Sequence, residues 1–116
     1  MATAALAITI SADTGTVGAC SVTYFSDISA ARASSTSGVN ANPNTNNISL
    51  SISAKYVYRN TFTLKSGSHD GYNSSNGSSC YLSYTAPNEC EMVSVAATHK
   101  VTVNGEYAFF DSAASR

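Results

Sequence analysis

His69 and Asp70 stand side by side in a stretch rich in Gly, Ser and Asn, with Gly71, Tyr72 and Asn73 directly behind them. A histidine beside a carboxylate can work as a base with its orienting partner, or contribute to a metal site. Adjacent residues on an extended chain point apart, however, and no nucleophile is tied to this pair by spacing. A solvated turn is the expected state, and His69, Asp70, Tyr72 and Asn73 are retained as binding candidates. Asp70, Asn73 and Asn76 supply oxygens at a regular interval, but without the further carboxylates that a hard cation needs. His99 falls on the apolar side of a Val-rich run, where a neutral imidazole with one hydrogen bond is expected. Two histidines and three cysteines match no zinc-finger or zinc-ribbon spacing. No metal and no cofactor is implied.

Nucleophile and phosphate motifs are missing too: there is no G-x-S-x-G, P-loop, G-x-G-x-x-G or H-E-x-x-H. Serine is so abundant that a triad built from it would need independent support. The seven acidic residues are mostly isolated and give no obvious carboxylate pair for glycoside hydrolysis. No catalytic residue is assigned, and an enzyme is not expected. Tyrosine is more informative. Tyr among Asn and Ser is the chemistry of carbohydrate- and protein-binding surfaces, because rigid rings stack and short polar groups adapt; the absence of Trp weakens the carbohydrate version. Tyr56 and Tyr58 read as core residues with hydroxyls at the rim, Tyr72 as a loop residue, and Tyr81 and Tyr84 as opposite faces of one strand. Asn47-Ile48-Ser49, Asn73-Ser74-Ser75 and Asn76-Gly77-Ser78 match the glycosylation acceptor pattern, which matters only in a eukaryotic secretory host.

Cys20, Cys80 and Cys90 make an odd count, so one thiol is left over or used between chains. A Cys80–Cys90 bridge would close the short loop around Pro87-Asn88 and contribute ~2–3 kcal/mol. Cys20 is expected in the core, on the parity of Val22 and Tyr24, as a thiol or as the alternative partner of either. Three reduced cysteines packed as small apolar side chains are the remaining possibility.

The elements that must hold these residues are strands. From Ile48 to Leu64 nearly every even position is apolar or aromatic, and nearly every odd one is Ser, Thr, Lys or Arg. A period of two is that of a pleated strand with one buried face. This segment reads as one long strand, or as two joined in phase by a bulge. Further strands are expected at Leu6–Ser11, Val17–Phe25, Cys80–Thr85 and Met92–Val103, with Val93, Val95, Ala97, Val101 and Val103 sharing a face with His99. Asp13-Thr14-Gly15 reads as a turn. Asn104-Gly105 is a type I′ hairpin signal that sets Val101 opposite Ala108, His99 opposite Phe110, and Lys100 opposite Phe109 as a surface cation–π contact. One short helix through Ile28–Ala33, capped by Ser26-Asp27, is allowed. Polar loops are expected at 34–47 and 66–79, and loops on a rigid sheet often carry recognition.

At 116 residues the chain suits one domain. Six to seven strands predict an all-β, single-domain antiparallel β-sandwich, Ig-like or jelly-roll-like. Charged residues are 11% of the chain against a usual quarter or so, with net charge −1. Scattered Lys and Arg disfavour nucleic acid, and no apolar run reaches the ~20 residues of a membrane-spanning helix. The N-terminus lacks the basic start of a signal peptide; either the protein is not exported, or Met1 precedes a mature chain, and surface composition and cysteines favour the second. The expected function is a secreted or surface-exposed binding or structural module. Self-assembly into a fibre, capsid or pilus-like array is the alternative, and a small lectin or hydrolase inhibitor the next. A protein or carbohydrate surface, or a second copy of the chain, is the expected partner.

Overall fold

The computed structural model describes residues 9–10, 12–40 and 47–116, with side chains described from residue 13 onward. Leu6 and Ile8 of the expected first strand lie outside the described residues, as do residues 41–46. The described residues form strands and turns without a helix, in two antiparallel sheets. In chain order the strands are β1 (Thr9–Ile10), β2 (Ala12–Val17), β3 (Cys20–Ile28), β4 (Arg32–Asn40), β5 (Ile48–Asn60), β6 (Ser66–Ser75), β7 (Ser79–Thr85), β8 (Cys90–Val103) and β9 (Glu106–Ser115). One sheet has the order β1-β9-β8-β5-β6 and the other β2-β3-β4-β7. Setting aside the two-residue β1, eight strands stand where six to seven are expected.

Alternation builds the core as anticipated. Leu50, Ile52, Ala54 and Tyr56 point inward from β5, beside Val95, Ala97, Val101 and Val103 of β8 and opposite Val22, Tyr24, Ile28, Ala33 and Val39 of the other sheet. The β8–β9 hairpin has the register that Asn104-Gly105 predicts: Val101 faces Ala108, His99 faces Phe110 and Lys100 faces Phe109. Both turn residues take positive φ, 50° and 86°, as a type I′ turn requires. Asn47 fastens this turn to the start of β5: its amide donates to Asn104 Oδ1, and its carbonyl accepts from the Asn104 amide.

Four expectations are corrected. No helix follows Ser26-Asp27; Ser26 lies inside β3 with its side chain buried, and residues 29–31 turn tightly into β4, where the Ser29 amide donates to the Arg32 carbonyl. Asp13-Thr14-Gly15 belongs to β2, and the turn falls instead at Gly18-Ala19, both with positive φ. The polar segment from Ser34 is strand as far as Asn40, because its small side chains alternate inward (Ala33, Ser35, Ser37, Val39) and the serines are buried. Most of the expected 66–79 loop is β6, paired with β5 along its length from Ser66 to Ser75. Its glycines suit it to that place. Tyr58 lies over Gly67 and Tyr56 over Gly71, where a Cβ would sit 2.6 and 3.1 Å from ring atoms.

The β5 alternation also stops sooner than its parity suggests. The strand ends at Asn60, whose Oδ1 accepts the amides of Phe62 and Thr63, and Phe62 and Leu64 are exposed in the turn. On the partner strand, the register moves from Val57–Ser94 to Tyr58–Met92 and leaves Val93 as the extra residue of a bulge. The bulge reverses the parity, so Met92 is buried and Val93, expected inside, is only half-buried.

Candidate functional site

Two features stand out: a buried chain of polar side chains between the sheets, and the solvent face of the larger sheet. The buried chain begins at His99 on β8, whose Nε2 lies 2.7 Å from Ser112 Oγ on β9. Ser112 Oγ is 2.7 Å from Ser26 Oγ on β3, which is 2.7 Å from Ser35 Oγ on β4. All four residues are buried, and the hydroxyls cross from one sheet to the other. The Tyr24 ring lies 5.6 Å from the imidazole and stacks on Phe110 at 4.8 Å. Burial disfavours the imidazolium and brings the His99 pKa down to about 4, with Asp111 opposing that shift. His99 is thus the neutral core imidazole with one hydrogen bond that its position predicts, and Nδ1 has no hydrogen-bond partner among the described residues.

A Ser–His contact of this length is also the geometry of a nucleophile and its base. Here Ser112 is 3% exposed and Nδ1 meets no orienting carboxylate. The arrangement ties strands together: the two sheets can slide past each other only by breaking hydrogen bonds in a low-dielectric interior.

The solvent face has a different chemistry. Cross-strand register places Ser74, Ser51, Lys100 and Phe109 in one row across β6, β5, β8 and β9. The next row is Tyr72, Ser53, Thr98 and Asp111, and the one after it Asp70, Lys55, Ala96 and Ala113. Short side chains make the middle of the face. Tyr72 rises at one margin, 66% exposed, and Tyr107 and Phe109 at the other, 63% and 60% exposed. Tyr107 and Phe109 meet edge to face at 5.9 Å, and Lys100 Nζ rests 5.1 and 5.8 Å from the two ring centres. Thr98 Oγ1 donates to Asp111 Oδ1 at 3.0 Å. Four shallow depressions, of about 260 to 390 Å³ each, lie on this face in two adjoining pairs, one pair sharing Ser49, Asn76 and Thr102 and the other Ala96 and Thr98.

The four binding candidates divide between the two faces of β6. Asp70, opposite Lys55, and Tyr72, opposite Ser53, belong to the outer face. His69 and Asn73 point the other way. His69 stacks on Tyr84 of β7 with centres 4.1 Å apart and planes 8° from parallel, and Asn73 Nδ2 donates to the Tyr81 carbonyl at 2.7 Å. The two sheet margins are joined there, and His69 and Asp70 do not act as a pair. Asp70 and Asn73 likewise diverge, so the oxygens at 70, 73 and 76 do not converge on one cation. Tyr107, Phe109, Lys100 and the Ser/Thr rows of β5 and β8 were not singled out as binding residues. The signal was available in the odd positions of β5 and in Lys100 opposite Phe109, which both lie on the face left over once the core is assigned.

The cysteines are unbridged among the described residues. Cys80 is the second residue of β7 and Cys90 the first of β8, in different sheets. The run of β7 carries Cys80 ~17 Å from the turn that delivers Cys90, far beyond the ~7 Å limit for a bridge. Cys20 is buried in the core as expected. Compared with protein-family models, with curated proteins and with solved structures, the chain matches none.

Proposed function

We propose that the chain is a non-enzymatic β-sandwich module that acts by binding, with the outer face of β6-β5-β8-β9 as its contact surface and an extracellular or cell-surface setting. The observation that carries this reading is the coincidence of three exposed rings, a floor of short polar side chains, and shallow depressions on that one face. Large exposed aromatics on a soluble surface mark interaction sites more often than accidents, and a rigid sheet presents them without ordering cost. The buried Ser–His chain supports the same reading from the other side, since it is used in joining the sheets.

The test is a residue-resolved NMR titration of the labelled protein with soluble polysaccharides, and separately with an unrelated extracellular-type protein panel. The expected outcome is perturbation of backbone amides concentrated at 49–55, 70–74, 96–102 and 107–113. Perturbations clustered on the outer face of β2-β3-β4-β7 would overturn this assignment.

Assembly is the second reading, and β6 favours it. This edge strand is ten residues long, without proline and with Asp70 as its one charged residue, whereas edge strands are usually blunted by charge, proline or bulges. Light scattering after size exclusion decides between the readings: a monomer at high concentration removes assembly through this edge.

A further inference from the structure

We propose that the ligand of this face is an extended neutral glycan that lies across the strands from Tyr72 to Tyr107 and Phe109; this rests on the binding reading above and narrows it to one chemistry. The first argument is charge. Lys55 and Lys100 are balanced by Asp70 and Asp111 on the same three rows, so the face has no field of one sign with which to collect an acidic or basic polymer.

The second argument is the floor. Ser51, Ser53, Ser74, Thr98 and Thr102 each carry a hydroxyl, a group that both donates and accepts and so matches a partner bearing the same group many times over. The centre of a protein interface is depleted of serine and lysine, whereas Ser51, Ser53, Thr98 and Lys100 make the middle of these rows and the rings stand only at the margins.

The third is spacing. Three strand intervals separate the rings at the two margins, ~14 Å at the backbone, with polar floor between. One small molecule cannot touch both margins, whereas a rod of linked sugar rings can. The C–H faces of pyranose rings are weakly positive and stack on the negative faces of aromatic rings. Tyr107 and Phe109 hold each other edge to face, and Lys100 caps them, so that platform is fixed before a ligand arrives.

The experiment is affinity electrophoresis of the intact protein in gels cast with barley β-glucan, arabinoxylan, glucomannan or amylopectin, followed by calorimetry with oligosaccharides of the polymer that retards it. Retardation by at least one polymer is expected, with affinity rising with oligosaccharide length until both margins are spanned. Tyr72→Ala and Phe109→Ala should each weaken binding about tenfold, the effect of losing one stacking contact. Tyr81→Ala, an exposed ring on the other sheet, should leave binding unchanged. All three sites are solvent-exposed, and thermal melts of the variants check that folding is intact. Failure of all four polymers to retard the wild type, or equal binding by Tyr72→Ala and Phe109→Ala, overturns the glycan assignment. If the NMR titration then places a protein ligand on the same rows, the binding face survives and only its ligand class is wrong. Perturbation of neither kind removes both readings.

Discussion

At the level of single residues, His99 shows most directly how burial becomes behaviour. An unfolded imidazole titrates near ~6.5, while in the native core desolvation lowers the value to about 4. Between those two values the unfolded chain holds a proton that the folded chain refuses, so protons favour unfolding. Stability is therefore complete above the unfolded value and is lost as pH falls toward the folded one, by about 3 kcal/mol in total. The groups facing the ring are Ser112 and, from the other sheet, Tyr24, while the charge of Asp111, next to Ser112 on β9, opposes the shift. Urea unfolding between about pH 7 and pH 5 isolates this effect from carboxylates, which titrate lower. Stability should fall across that range in the native chain and stay nearly level in His99→Leu; the same slope in both would show that another group is responsible. Ser112→Ala tests the same chain at its middle. It strands His99 Nε2 in the interior and leaves Ser26 with Ser35 alone, a cost of about 1–3 kcal/mol, and the midpoint in urea should drop without change in slope. The serines of this network could not be picked out from sequence. Ser26, Ser35 and Ser112 look like every other serine in a serine-rich chain, and only their convergence from three strands makes them core.

At the level of elements, the turns separate conformational from steric constraint. Gly105 (φ 86°) and Gly18 (φ 54°) both occupy the left-handed region, but a Cβ on Gly105 meets nothing within 4 Å and one on Gly18 would lie 3.0 Å from Val103. Gly105→Ala should cost about 1 kcal/mol, the backbone penalty alone, and Gly18→Ala more, because Val103 is fully buried and cannot give way freely. Thermal melts rank the two; an equal or reversed order would show that Val103 yields. The first hairpin was legible from Asn104-Gly105, since that dipeptide sits between two alternating runs. The Gly18-Ala19 hairpin was not, because alanine is rarely seen at positive φ and Asp13-Thr14-Gly15 nearby carries a stronger turn composition. The same reasoning explains β4 and β6. Composition marks Ser, Gly and Asn as loop formers, yet β4 buries Ser35 on a hydrogen bond to Ser26 and β6 uses bare glycines as seats for Tyr56 and Tyr58. Such strands are made by their neighbours, and a reading of local composition misses them.

For the whole molecule, the question is whether the two sheets open together. Tyr24, His99 and Phe110 meet across the interior, the serine chain crosses it, and His69 on Tyr84 closes the β6–β7 margin. Cys20 on β3 and Cys80 on β7 are both buried in this shared core, and burial raises the Cys80 thiol pKa, whereas Cys90 is only half-buried at the start of β8. The unbridged thiols also remove the cysteine argument for an oxidising environment, leaving the Ser- and Thr-rich surface as the support for an extracellular setting. They serve instead as reporters. A thiol reagent at neutral pH should modify Cys90 first, at a rate that urea barely changes. Cys20 and Cys80 should follow together, at a rate that rises with urea along the slope of global unfolding, because a reagent reaches them only when the whole core opens. Intact mass with and without reductant should be the same, with three thiols in each. A mass lower by a pair of hydrogens before reduction would restore a bridge. Early labelling of Cys80 alone would show that β7 detaches while β3 stays folded; the stacked His69–Tyr84 contact would then be a weak latch, and the proposed glycan face on β6 would belong to a margin that breathes. Simultaneous protection of Cys20 and Cys80 would make the opposite case, that the binding face is held rigid by a core to which both sheets contribute.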